Sequence, residues 1–228
     1  MISTDLVKLA VKYFDGFMSK DMSSFPGTYE HVEDETSGAE YYIGMSTAQA
    51  VVVFGGTKYL KNIAEDLFFS PVKDTDAQNS GIQVHAGFFD SYQCPGVRGF
   101  IHGKLQEWKP KSILCIGHSY GGALTTLTAL DVQVSLGILP VVITFGSPRV
   151  GNQAFGDFCL KSIPEMISFR NSDDPIPHLP FKDMNFVDPL NPVHIGRKQN
   201  PWNFTGNLLK DHYWQTGYRP SLEQYVSE

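Results

Sequence analysis

The stretch 112–146 constrains the fold more than any other part of this sequence. It opens on a continuous apolar run, 112–117, and turns through Gly117-His118-Ser119-Tyr120-Gly121. An Ala-, Leu- and Thr-rich stretch, 121–136, follows, and a second apolar run, 140–146, closes the unit. An unbroken β-branched run bounded by turn residues reads as a strand buried on both faces. Two such runs joined by a helix-length stretch read as a parallel strand–helix–strand crossover. A third run of the same form, 50–54, stops at Gly55-Gly56. Together they predict an α/β fold whose central, mostly parallel sheet is flanked by helices on both faces.

The turn between strand and helix carries the chemistry. In G-x-S-x-G at such a junction, the chain reverses so sharply that the serine takes a strained conformation and side chains two positions either side have no room. Ser119 would stand exposed above the sheet. The amide of Tyr120, at the start of the helix, would face the oxyanion formed when Ser119 attacks a carbonyl. A turn of this form at this place is expected of the nucleophile turn of an α/β-hydrolase. Serine needs a histidine to take its proton and a carboxylate to orient that histidine, in the chain order Ser, acid, His. With the acid in the Pro- and Asp-rich loop after Asn171, the histidines that follow late enough are His178, His194 and His212.

The rest of the chain frames that unit. Leu6, Val7, Ala10, Val11, Phe14, Phe17 and Met18 recur at helical spacing behind Ser3-Thr4-Asp5 and predict an amphipathic helix over 4–20. The stretch 88–108 reads as a helix interrupted at Pro95-Gly96, 171–192 as a long surface loop, and 220–226 as a closing helix. With 228 residues and neither a repeat nor a low-complexity linker, one domain over 1–228 is expected. A net charge of −6 with no dense Lys/Arg block argues against nucleic acid and anionic membranes as electrostatic partners. Neither a signal core nor a membrane-length apolar run is visible. Cys94, Cys115 and Cys159 match neither a disulfide framework nor a CxxC site, so a reducing compartment is the default, with secretion open if a leader was removed.

Several segments in order resemble one family. His118-Ser119-Tyr120-Gly121-Gly122-Ala123-Leu124 is similar to the nucleophile segment of the class 3 lipases, the fungal-type triacylglycerol lipases and their feruloyl-esterase relatives. Val84-His85-Ala86-Gly87-Phe88 resembles their segment before it, and Thr144-Phe145-Gly146-Ser147-Pro148-Arg149-Val150-Gly151-Asn152 their segment after it. The resemblance puts the acid at Asp174 rather than the adjacent Asp173, within Asp174-Pro175-Ile176-Pro177-His178-Leu179-Pro180, and the base at His212. Gln215 stands where that family's Asp-His-x-x-Tyr pattern ends in tyrosine. His178 is then read as a surface residue and His194 as a half-buried strand residue. The resemblance also implies an oxyanion hole from Thr57 and Tyr120, a lid over 58–69, and triacylglycerol lipase-like hydrolysis of lipid esters, with a lipid–water interface as one setting. The alternatives are an esterase on more soluble, feruloyl-type esters, a phospholipase A1 and, more remotely, a non-catalytic lipid- or partner-binding module. Phe88, Phe89, Tyr120, Phe145, Val150 and Trp202 are candidates for pocket wall or plain core. No metal-ligand pattern is present in the sequence, and the expected mechanism needs no cofactor.

Overall fold

The computed structural model describes residues 2–25, 27–56, 72–74, 81–197 and 209–227. Thr57, the expected lid over 58–69 and Trp202 lie outside the described residues.

Among the described residues, seven strands form the main sheet: β1 (Thr28–Asp34), β2 (Ala39–Ser46), β3 (Gln49–Phe54), β6 (Ser112–His118), β7 (Leu139–Phe145), β8 (Glu165–Asn171) and β9 (Val193–Ile195), side by side in that order. The first three pair antiparallel, and every pair from β3 to β9 is parallel. A separate two-stranded ribbon joins β4 (Val72–Asp74) to β5 (Gln83–His85). The continuous apolar runs are explained by burial of both faces, because alternate residues of a strand point opposite ways. Ala50, Val52 and Phe54 of β3 and Ile113 and Cys115 of β6 enter one hydrophobic cluster, while Val51, Val53, Leu114 and Ile116 enter the other.

Helices close each face. On one side lie α2 (Ala86–Gln93), α3 (Phe100–Trp108), α4 (Tyr120–Leu136) and α5 (Gln153–Ser162); on the other, α1 (Thr4–Ser19) and α6 (Arg219–Ser227). The predicted break at Pro95-Gly96 is a π-helical turn, Pro95–Gly99, between α2 and α3. α4 is the β6-to-β7 crossover and is buried from Tyr120 to Leu130, which is why its sequence is apolar all round rather than striped. α1 is capped by Ser3, whose side chain accepts from the Leu6 amide at 3.2 Å, and buries Val7, Ala10, Phe14 and Phe17. The loop 171–192 differs from expectation: Asn171, Asp174, Ile176, Pro177 and Leu179 are buried, so its start is folded into the molecule. His178, expected at the surface, is half-buried, whereas His194 is half-buried in β9 as read.

Candidate active site

Ser119 follows β6 directly and precedes the first residue of α4. Its φ of 58° and ψ of −131° lie where side chains are seldom found, a strain of about 1–3 kcal/mol held by the surrounding packing. The flanking glycines explain how the turn closes. A Cβ on Gly117 would sit 2.3 Å from Gly121 O, and one on Gly121 would sit 2.3 Å from Gly55 O and 2.6 Å from Phe54 O. The helix start thus lies against both β6 and the end of β3. The Ser119 amide donates to Phe145 O at 2.9 Å, and Ser119 O accepts from the Gly122 amide at 2.8 Å.

Three side chains from distant parts of the sequence meet here. Ser119 Oγ lies 2.8 Å from His212 Nε2. Nδ1 of the same ring lies 2.8 Å from Asp174 Oδ2 and 2.9 Å from Oδ1. Relative exposures of 1% for Ser119 and 0% for both Asp174 and His212 remove the series from bulk water. The carboxylate at Nδ1 fixes that nitrogen as the one bearing hydrogen and leaves Nε2 to accept from the serine hydroxyl. Asp173 does not join them; it is half-buried, and its amide faces Asp211 Oδ2 at 3.4 Å.

A surrounding shell went unread in the sequence. Tyr218 Oη donates to Asp174 Oδ2 at 2.6 Å, and the Ile176 amide donates to Oδ1 at 3.0 Å. Burial first, then the Asp174 charge, holds the Tyr218 phenol well above its ordinary pKa, so it remains a donor. Gln215, where the sequence departs from the family pattern, is exposed. The tyrosine that meets the acid lies three residues further on, at the end of a π-helical turn, Trp214–Tyr218. His118 Nε2 donates to His212 O at 2.7 Å, with the two rings 4.8 Å apart. Burial, then the neighbouring His212, pushes the His118 pKa down to about 3, so this second imidazole stays neutral beside the first. Arg149 is buried and staples the acid loop: its Nη1 donates to His178 O at 2.5 Å and Pro180 O at 2.9 Å, and its Nε to Asp188 Oδ2 at 3.2 Å.

Of the candidate oxyanion donors, Tyr120 occupies the first position of α4, where helix amides point outward toward an incoming anion. Its phenol is directed away, donating to Ser37 O at 2.9 Å. Gly56, the last described residue before Thr57, faces the serine: a Cβ there would be 3.3 Å from Ser119 Cβ. Among the wall candidates, Phe88, Tyr120 and Val150 belong to the cluster on the α4 side, with Phe89 packed against it. Phe145 is core on the opposite face, stacked on Phe169 at 5.6 Å.

Residues 51–184 match the family model described as Lipase (class 3). The chloroplastic phospholipase A(1) DAD1 of Arabidopsis thaliana is 34% identical over 148 residues, covering 57% of this chain and 33% of that protein. A lipase of Rhizomucor miehei is 32% identical over 156 residues, covering 63% of this chain and 41% of that protein. The match therefore spans less than half the length of either relative. Among solved structures, lipase II from Rhizopus niveus superposes with a TM-score of 0.70 at 21% identity, covering 89% of this chain and 84% of that one, a likeness of fold.

Proposed function

This chain belongs to the class 3 lipase family, and from that premise we propose that it hydrolyses the carboxylic ester bonds of lipids through an acyl-enzyme, with 1–228 acting as one α/β-hydrolase domain. The observation that carries the reading is the buried hydrogen-bonded series Ser119–His212–Asp174. In the proposed reaction Ser119 Oγ attacks the ester carbonyl while His212 Nε2 takes its proton. Asp174 keeps Nδ1 protonated and stabilises the imidazolium. The oxyanion is held by the amides of Tyr120 and Thr57. His212 then protonates the departing alcohol, and water, activated by the same histidine, releases the acid and restores the serine.

Acylglycerols are the leading substrate class, since the relatives include proteins named as lipases and as mono- and diacylglycerol lipases. A second reading, phospholipase A1, is favoured by the relative of that name. The test is hydrolysis of p-nitrophenyl butyrate, emulsified triolein and phosphatidylcholine vesicles by wild type and Ser119→Ala, with circular dichroism on both. Loss of roughly 10⁴-fold or more in kcat for folded Ser119→Ala is expected. Full activity in that variant would overturn the assignment, and the preferred natural lipid decides between the two readings.

A further inference from the structure

His212 lies outside every strand and helix, and the family match ends at residue 184. Its geometry therefore depends on how the neighbouring backbone is fastened. Side-chain donors fasten it at residues 211, 212 and 214 in succession. Asn171 Nδ2 donates to Asp211 O at 2.8 Å, and His118 Nε2 donates to His212 O at 2.7 Å. The third tie is Trp214 Nε1, which donates to Asp15 Oδ1 of α1 at 2.8 Å.

The third tie differs in reach. The first two come from the strands that carry the rest of the site; Asp15 comes from a helix 199 residues distant in sequence. The Trp214 indole is wedged between aromatic rings, 4.4 Å from Phe14, 5.1 Å from Phe145 and 6.1 Å from His118, so fixing its nitrogen fixes the whole side chain. Trp214 also begins the π-helical turn that ends at Tyr218, the donor to Asp174. One anchored ring thus sets both the backbone two residues after His212 and the phenol that braces the acid. Gly217 lets this turn close, since a Cβ there would meet Asp211 O at 2.2 Å. Asp15 Oδ2 meanwhile accepts from Arg219 Nε at 2.6 Å, at the start of α6.

We propose that Asp15 is a positioning residue for His212, acting through Trp214, so that α1 belongs to the machinery of the site and not solely to its core. The proposal rests on the reading of His212 as the base. Its two carboxylate oxygens have separate duties: Oδ1 aims the base-bearing turn, and Oδ2 anchors α6. A misplacement of about 1 Å at a reacting group costs on the order of 10²-fold in rate, so partial loosening of this tie reads out in kcat.

Three variants separate the duties. Asp15→Ala removes both, Trp214→Phe keeps the stacked ring but loses the Oδ1 tie, and Arg219→Met loses the Oδ2 tie and the ion pair to Glu223 within α6 but keeps the Oδ1 tie. Each is assayed with p-nitrophenyl butyrate, its unfolding midpoint is measured, and the downfield proton resonance of His212 Nδ1–H is recorded. Asp15→Ala and Trp214→Phe are expected to lose roughly ten-fold or more in kcat at near-constant KM and to broaden the resonance. Arg219→Met is expected to lower the unfolding midpoint while leaving kcat within about two-fold and the resonance sharp. Unchanged kcat in Asp15→Ala or Trp214→Phe overturns the proposal. So does a kcat loss in Arg219→Met as large as theirs, because activity would then follow stability alone. A wild type that hydrolyses no ester instead removes the hydrolase reading, and His212's role as base with it.

Discussion

Asp174 accepts from His212, Tyr218 and the Ile176 amide, and this crowding makes the carboxylate an orienting group rather than a mobile one. Asp174→Asn keeps the shape but offers His212 an amide that favours the wrong tautomer, and a loss of about 10⁴-fold in kcat with little change in fold is expected. Tyr218→Phe leaves a buried carboxylate oxygen and the Asn171 amide short of a partner. It should destabilise by about 1.5–3 kcal/mol, read from a denaturant midpoint. Of the positions proposed for the triad, Ser119 was legible from the glycines around it, whereas Asp174 and His212 were singled out among their neighbours by the resemblance of their segments to those of the class 3 lipases. His118, Arg149 and Tyr218 were not, since what they do depends on partners 94, 31 and 44 residues away that no local spacing encodes.

Elements show the same division. β3, β6 and β7 were readable because strands buried on both faces leave an unbroken apolar run. β1 was not, for it carries Glu30, His31, Glu33 and Asp34 and is largely exposed. β9, at the opposite edge, is three residues long and too short to leave a period. The turn joining β6 to α4 depends on bare backbone, so Gly121→Ala must push aside the carbonyls of Phe54 and Gly55; near-complete loss of activity with a lowered unfolding midpoint is expected. On the far side of α4, Asp131 gathers Arg98 Nε at 2.8 Å, Tyr92 Oη at 2.7 Å, His102 Nε2 at 2.7 Å and Ser135 Oγ at 2.6 Å. This cluster clasps α2, the π-helical turn and α3 onto α4. Asp131→Ala should cost about 2 kcal/mol, seen as a lower thermal midpoint, while kcat changes little because the cluster lies three helical turns beyond Ser119.

For the molecule as a whole, several groups make stability fall toward acid. Burial pushes His118 to about 3, and burial with the nearby Arg170 and Arg149 charges pushes His178 to about 4. Both are neutral in the fold and free to take a proton once unfolded, so stability present above about pH 6.5 is lost as the pH falls toward those values. Asp131 is lowered to about 2: burial opposes ionisation, but hydrogen bonds from Arg98, Ser135 and Tyr92 outweigh it. Its contribution is intact above about pH 3.9 and disappears as the pH falls through its folded value. Denaturant titrations at pH 7, 5 and 3 should show a continuous decline, and Asp131→Asn should flatten the lowest part of that curve. The acidic β1 adds a different consequence. It is an outer strand of the sheet, where unpaired backbone groups can recruit another chain, and Glu30, Glu33 and Asp34 give it like charge. Glu30→Gln combined with Glu33→Gln therefore strips electrostatic protection from this edge, and turbidity of the folded protein at neutral pH is the expected result.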